Sequence, residues 1–110
     1  MSSRAKGVRG ELEVAEVLRA MGFDARRSQQ YNGRDGGEDV THSIEGVHIE
    51  VKRTERLRPY PYMLQAQRDA KDGTIPTVWM RSNNEDWLVM VRADDLLQLV
   101  ERINAARLRS

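Results

Sequence analysis

The sequence predicts a mixed central β-sheet with helices packed on its faces, an α/β or α+β sandwich in the order α-β-β-β-α-β-β-α. Three observations carry this expectation. Residues 8–21 place Val14, Ala15, Leu18 and Met21 on one helical arc. Residues 39–52 alternate apolar and polar side chains at period two, with a Glu45-Gly46 turn between two runs. Two further apolar runs, Ile75 to Arg81 and Trp87 to Val91, lie between a proline-led helix and a closing helix.

In chain order, residues 1–7 are small and basic and read as a frayed end. The first helix, 8–21, stops at Gly22. On its wheel Glu13 and Glu16 face outward, whereas Glu11 lies within the apolar arc, in line with Ala15 and Leu18. A carboxylate on a core-facing stripe is costly unless it has a partner. Phe23 to Arg27 is a short strand, and Ser28 to Gly37 a polar, glycine-rich loop. A tight hairpin at Glu45-Gly46 puts Ile44 opposite Val47, Thr41 opposite Glu50 and Asp39 opposite Lys52. Asp39, Glu50 and Lys52 then share one face with His48, and Val40, Ile44, Val47, Ile49 and Val51 take the other. Pro59 and Pro61 break the chain before a second helix over about 61–71, with Met63, Leu64, Ala66 and Ala70 apolar. Asp94-Asp95 lead the last helix, through Leu96, Leu97, Leu99, Val100 and Ile103. Residues near Ser110 read as loose.

A chain of 110 residues is one domain's worth and buries a real core. With no cysteine, a disulfide framework and a cysteine zinc site are excluded. No apolar run reaches the ~18 residues of a membrane span, and no signal sequence is present, so an intracellular, cytoplasmic protein is expected. Net charge is +1, yet the basic residues cluster. Arg4, Lys6 and Arg9 precede the first helix, Arg26, Arg27 and Arg34 flank the glycine-rich loop, and Arg53, Arg56 and Arg58 follow Lys52. Basic patches around a carboxylate site suit a polyanion held by its phosphates. The glycine-rich loop lacks the terminal Lys-Ser/Thr of a P-loop, so no nucleotide cofactor is expected.

Glu-x-Lys alone is a common triplet. Here it sits on a strand whose other face is aliphatic, an aspartate joins it by register, and Glu11 adds a third acid from a helix. Hard cations such as Mg²⁺ take carboxylate oxygens, water and substrate phosphate. Asp39, Glu50 and the Val51 carbonyl are the expected ligands, with Glu11 direct or through water. Lys52 would orient the attacking water or stabilise charge on the phosphate. The implied reaction is phosphodiester hydrolysis. Asp35 in the loop is the alternative to Asp39.

Lys6-Gly7-x-x-Gly10-Glu11, Asp39-Val40 after a glycine-rich loop, and Ile49-Glu50-Val51-Lys52 resemble the PD-(D/E)XK nucleases, and within them the archaeal-type Holliday junction resolvases and their phage-encoded relatives. Later features extend the likeness over almost the whole chain: Gln65-Ala66-x-x-Asp69-Ala70, a strand ending at Arg81, Trp87, and Asp94-Asp95-Leu96. The resemblance implies a single nuclease domain over 1–110 with a restriction-endonuclease-like sheet. It implies Glu11, Asp39 and Glu50 as metal-binding acids, Lys52 as catalytic lysine, and Mg²⁺ (Mn²⁺ as substitute) as cofactor. It also implies a homodimer that nicks two strands of a four-way DNA junction. Gln65 follows as a catalytic residue, although the helix wheel puts Gln67 rather than Gln65 among Met63, Ala66 and Ala70. Ser28 falls where such resolvases carry a serine, and Arg4, Lys6, Arg9, Arg27, Arg34, Arg53 and Arg56 are the expected DNA contacts. Glu38 stands where the motif's name has proline.

Other residues have structural readings. His42 falls on the apolar face as a core or rim histidine, and Trp79 and Trp87 read as core or interface anchors. Tyr31, Tyr60 and Tyr62 flank the site, and Tyr60-Pro61-Tyr62 reads equally as a simple turn. Three rival functions stand: another nuclease of this fold acting on branched or duplex DNA, a DNA-binding module without activity, and a protein-interaction domain with a charged sheet face.

Overall fold

The computed structural model describes residues 3–28 and 38–109. The elements are α1 (Ser3–Ala20), β1 (Ala25–Arg27), β2 (Val40–His42), β3 (Val47–Arg53), α2 (Pro59–Asp69), β4 (Ile75–Arg81), β5 (Leu88–Val91), a 3-10 turn (Ala93–Asp95) and α3 (Leu96–Arg109). The predicted α-β-β-β-α-β-β-α order holds.

The sheet β3-β4-β5 is mixed, with β3 parallel to β4 and β5 antiparallel to it. The crossover α2 joins the two parallel strands, because parallel neighbours need a long connection. Helices cover both faces. Val14, Ala15 and Leu18 of α1 and Leu99 and Ala106 of α3 pack with Val47, Ile49, Val51 and Trp79 on one side. Met63 and Ala66 of α2 pack with Val78 and Met80 on the other. With both faces covered, β4 buries six consecutive residues, Ile75 to Met80, instead of alternating. No helix among the described residues is long and apolar enough to cross a membrane.

Helix α1 begins at Ser3, well before the expected residue 8. Gly7 and Gly10 do not break it, and Gly10 lets it approach the sheet: a Cβ there would lie 3.1 Å from Arg53 Cβ and 3.3 Å from Val51 Cγ1. The helix ends in a Schellman motif. Gly22, at φ +99°, donates its N–H to Arg19 O, and Phe23 donates to Leu18 O. This early stop leaves Met21 60% exposed instead of on the core arc. Tyr60-Pro61-Tyr62 forms the first turn of α2, which starts at Pro59 because Pro is suited to an opening helical position. The closing helix continues in order to Arg109.

The hairpin register expected for Asp39 is not observed. Strand β2 pairs instead with β1, antiparallel, with Arg26 opposite Thr41 and Arg27 opposite Val40. Ser43 turns toward Asp24, donating its N–H to the Asp24 carbonyl while its hydroxyl accepts from Asp24 N–H. Those residues are committed to β1, so Asp39 arrives beside Glu50 rather than opposite Lys52. Its N–H donates to Ile49 O, and its Oδ2 accepts from Val51 N–H at 2.8 Å. Glu38 Oε1 accepts from Ile49 N–H at 2.9 Å. Two side chains thus serve edge donors of β3 that a paired strand would otherwise satisfy.

Candidate active site

The site is built around the outer edge of β3. Successive strand side chains point to opposite faces. Val47, Ile49 and Val51 enter the core under α1, while His48, Glu50 and Lys52 face α2, as the alternation predicts. Asp39 lies along the edge between the two faces. Within a strand residue the N–H and C=O point the same way. The Val51 N–H donates to Asp39, so its carbonyl faces this edge too.

Glu50 is 3% exposed and its Oε1 lies 3.0 Å from Nε2 of the buried His48. Burial pulls the His48 pKa down, but the hydrogen bond to Glu50, its charge, and the fields of Glu38 and Asp39 outweigh it, and the net shift is upward. Asp39 is raised from 3.8 to about 7. Burial is the largest cause, followed by the charge of Glu50; the Val51 hydrogen bond opposes the rise, Glu11 adds to it, and Lys52 opposes it. Glu50, Glu11 and Lys52 therefore all act electrostatically on Asp39.

Glu11 does have the partner its position on α1 required: Arg27 Nε donates to Oε1 at 2.7 Å from β1. Lys52 Nζ donates to Gln65 Oε1 at 2.7 Å and lies 5.6 Å from the centroid of the Tyr62 ring. Gln65 is thus at the lysine and Gln67 is exposed, which resolves the conflict left by the helix wheel. The wheel locates only the stripe that packs on the sheet; Gln65 lies on its flank, where β3 presents Lys52.

Among the described residues no three His, Cys, Asp or Glu side chains already converge as a metal cage. One Glu11 oxygen is taken by Arg27 and one Glu50 oxygen by His48. The donors at the edge are nonetheless oxygens of the kind Mg²⁺ accepts: two carboxylates and a carbonyl, with room for water and phosphate in its shell. The crowding of negative charge that raises Asp39 is what a divalent cation there would relieve.

The expected DNA contacts are distributed as follows. Arg4 and Arg9 are exposed on the first turns of α1, and Lys6 lies 3.8 Å from Glu55. Ser28 donates its N–H to Asp39 O, and its hydroxyl meets that of Thr41 at 2.9 Å. Arg56 is exposed. Arg53 is only 12% exposed; its Nε lies 3.6 Å from Glu13 and has no hydrogen-bond partner among the described residues. Arg34, Asp35 and Tyr31 lie outside the described residues.

Three features were not assigned from sequence. Glu38 also holds His42: Ile44 N–H donates to Nδ1, so Nε2 carries the hydrogen and donates to Glu38 at 2.7 Å. His42 is thus a structural histidine. Glu13 accepts from Arg81 at 2.7 Å and Trp87 Nε1 at 3.1 Å, tying α1 to β4 and to the segment before β5. Tyr62 underlies Lys52; its signal was the Tyr62–Gln65 spacing, which brings two residues to one side of a helix once that helix starts at Pro59.

The fold is similar to that of a solved structure. The chain superposes with a TM-score of 0.58 on Hjc, a Holliday junction resolvase from the archaeal hyperthermophile Archaeoglobus fulgidus, solved at 1.6 Å resolution. The two are 20% identical, over 76% of this chain and 74% of that one. The mixed sheet flanked by helices is therefore shared with that enzyme. No protein-family model matches the sequence, and no curated protein does.

Proposed function

We propose that the chain is a metal-dependent DNA endonuclease, and specifically a structure-selective one that resolves four-way junctions as a homodimer. The observation that carries this reading is the joint placement of Glu50 and Lys52 on one face of β3 beside Asp39, whose pKa is raised to about 7 by burial and by neighbouring acids. The shared fold with a Holliday junction resolvase supports the choice of substrate.

In this reading Asp39, Glu50 and the Val51 carbonyl hold Mg²⁺ or Mn²⁺, with Glu11 reached directly or through water. The cation, when bound, polarises a phosphoryl oxygen and makes a bound water more acidic. Asp39 must lose its proton before it can serve as a ligand. Lys52 presents its ammonium to the water or to the phosphate oxygens, and Gln65 aims it. The water oxygen forms the new P–O bond, the bond to the leaving sugar oxygen breaks, and that oxygen takes up a proton. Arg4, Lys6, Arg9, Arg27, Ser28 and Arg56 hold flanking phosphates; such contacts position DNA without reading its sequence. Arg53 joins them only if DNA draws it from Glu13.

A second copy of the chain is favoured by an apolar surface on the edge strand β5 and on α3. Leu88 and Val89 are about half exposed, and Leu97 is 77% exposed beside Val100. A two-fold junction needs two paired cuts, and two-fold dimers are the commonest assemblies.

The test is cleavage of labelled four-way junction and matching linear duplex, in Mg²⁺ and in EDTA, beside Asp39→Asn. Paired, metal-dependent nicks confined to the junction are expected. Equal cutting of duplex assigns a broader nuclease, and tight binding with no cutting in any divalent ion leaves a DNA-binding module.

A further inference from the structure

The Tyr62 side chain touches two things at its two ends. Its ring lies under the Lys52 ammonium, 5.6 Å from Nζ, within cation–π range. Its hydroxyl donates to the Arg56 carbonyl at 3.1 Å and meets the Thr54 hydroxyl at 3.1 Å. Thr54 in turn donates to the same carbonyl at 2.7 Å. The connection 54–58 between β3 and α2 is thus hooked onto Tyr62, with the Arg56 and Arg58 side chains exposed on it.

We propose that Tyr62 is a positioning residue that couples phosphate binding on the 54–58 connection to the aim of Lys52. The proposal rests on the nuclease reading above. An ammonium has three donors. One goes to Gln65. The ring occupies a second direction, and together they leave one donor for the water or the phosphate. Without the ring, Lys52 is free to turn toward the carboxylates of Asp39 and Glu50, which act on the same region. A phosphodiester held by Arg56 loads the carbonyl that Tyr62 grips, so backbone binding beside the scissile bond holds the ring in place. The one acid on the connection, Glu55, faces Lys6 at 3.8 Å and leaves Arg56 and Arg58 for phosphate.

Substitutions at this residue separate the two ends. Tyr62→Phe keeps the ring and removes the hook; KM for junction DNA rises about fivefold, with a much smaller change in kcat. Tyr62→Leu removes the ring together with the hydroxyl; KM rises as in Tyr62→Phe, and kcat falls roughly tenfold in addition. Both are measured in Mg²⁺, well below the Tm of each variant. A packing role alone would lower Tm in both and leave kcat and KM as in the wild type, and that result overturns the proposal. A readout in EDTA does not need cleavage. The Lys52 Hε resonances are expected upfield under the ring current, retained in Tyr62→Phe, and shifted when DNA is added. If Tyr62→Leu does not fold, these resonances decide: an unshifted Lys52 signal, or one indifferent to DNA, overturns the coupling. Wild-type protein that cuts no DNA overturns the nuclease reading and this coupling with it; active wild type with indifferent Tyr62 variants overturns the coupling alone.

Discussion

Lys52 donates a 2.7 Å hydrogen bond to Gln65, joining the sheet strand that carries Glu50 to the crossover helix. This pair gives the first prediction. Lys52→Ala removes the ammonium on the α2 side of the strand and lowers kcat by about a hundredfold or more, while junction binding persists. Gln65→Ala leaves the ammonium but not its aim and costs roughly tenfold. Single-turnover cleavage with a parallel binding titration separates the two effects. Equal loss of binding in both variants would show that the pair holds DNA instead.

The acids predict an unusual pH dependence for the metal-free protein. Asp39 rises from an ordinary 3.8 in the unfolded chain to about 7 when folded, and His48 is also raised above 6.5. A raised pKa means that the folded state holds the proton more tightly. The stability that Asp39 contributes is fully present below pH 3.8 and is lost as pH rises through about 7; that of His48 is lost at its own raised pKa. In EDTA, Tm should therefore fall as pH rises from about 4 to about 7, and Asp39→Asn should flatten that slope. Added Mg²⁺ should restore Tm most at high pH, because the ion competes with the proton on Asp39. A metal-free Tm that rises steadily to pH 8 would contradict this.

Glu38 caps the β3 edge. Glu38→Ala leaves the Ile49 N–H and the His42 Nε2–H without their acceptor, at a cost of about 1–3 kcal/mol. Glu38→Gln keeps an acceptor oxygen and should cost less than half as much. Chemical denaturation reads both. A neutral Glu38→Ala would mean that water replaces the carboxylate at this edge. The proline of the motif's name has no side chain able to serve these donors, so this chain secures the same stretch by a different device.

Two glycines on one helix predict opposite signs. Ala normally gains about 1 kcal/mol over Gly inside a helix. At Gly7 nothing lies within 4 Å of the added Cβ, so Gly7→Ala should raise Tm. At Gly10 the Cβ meets the Arg53 backbone-proximal Cβ at 3.1 Å and Val51 Cγ1 at 3.3 Å. Gly10→Ala should therefore destabilise by about 1–3 kcal/mol and displace α1 from the site strand. Thermal melts of the two variants give the comparison directly.

Much of this was legible in the residues alone. Periodicity determines the order of elements, because helical and extended segments bury side chains at different spacings. Alternation along 47–52 puts Glu50 and Lys52 on one face, and the place of Glu11 among Ala15 and Leu18 signals the need for a partner, which the exposed Arg27 supplies. The position of Asp39 was not legible. A hairpin count from Glu45-Gly46 assumes that all of 39–44 pairs with β3, yet Ser43 bonds to Asp24, β2 ladders with β1, and Arg102 from α3 donates to the Gly46 carbonyl. These are contacts between residues distant in the chain, and no local pattern encodes them. The same holds for Gln65 over Gln67 and for Tyr62 beneath Lys52. A wheel sorts residues by the face that packs, whereas the neighbour on a helix flank is decided by how the helix is laid across the sheet. Sequence by itself determined which residues carry charge toward the β3 edge; tertiary structure alone decided that Asp39 meets Val51 and Glu50 there, because long-range pairing sets the register.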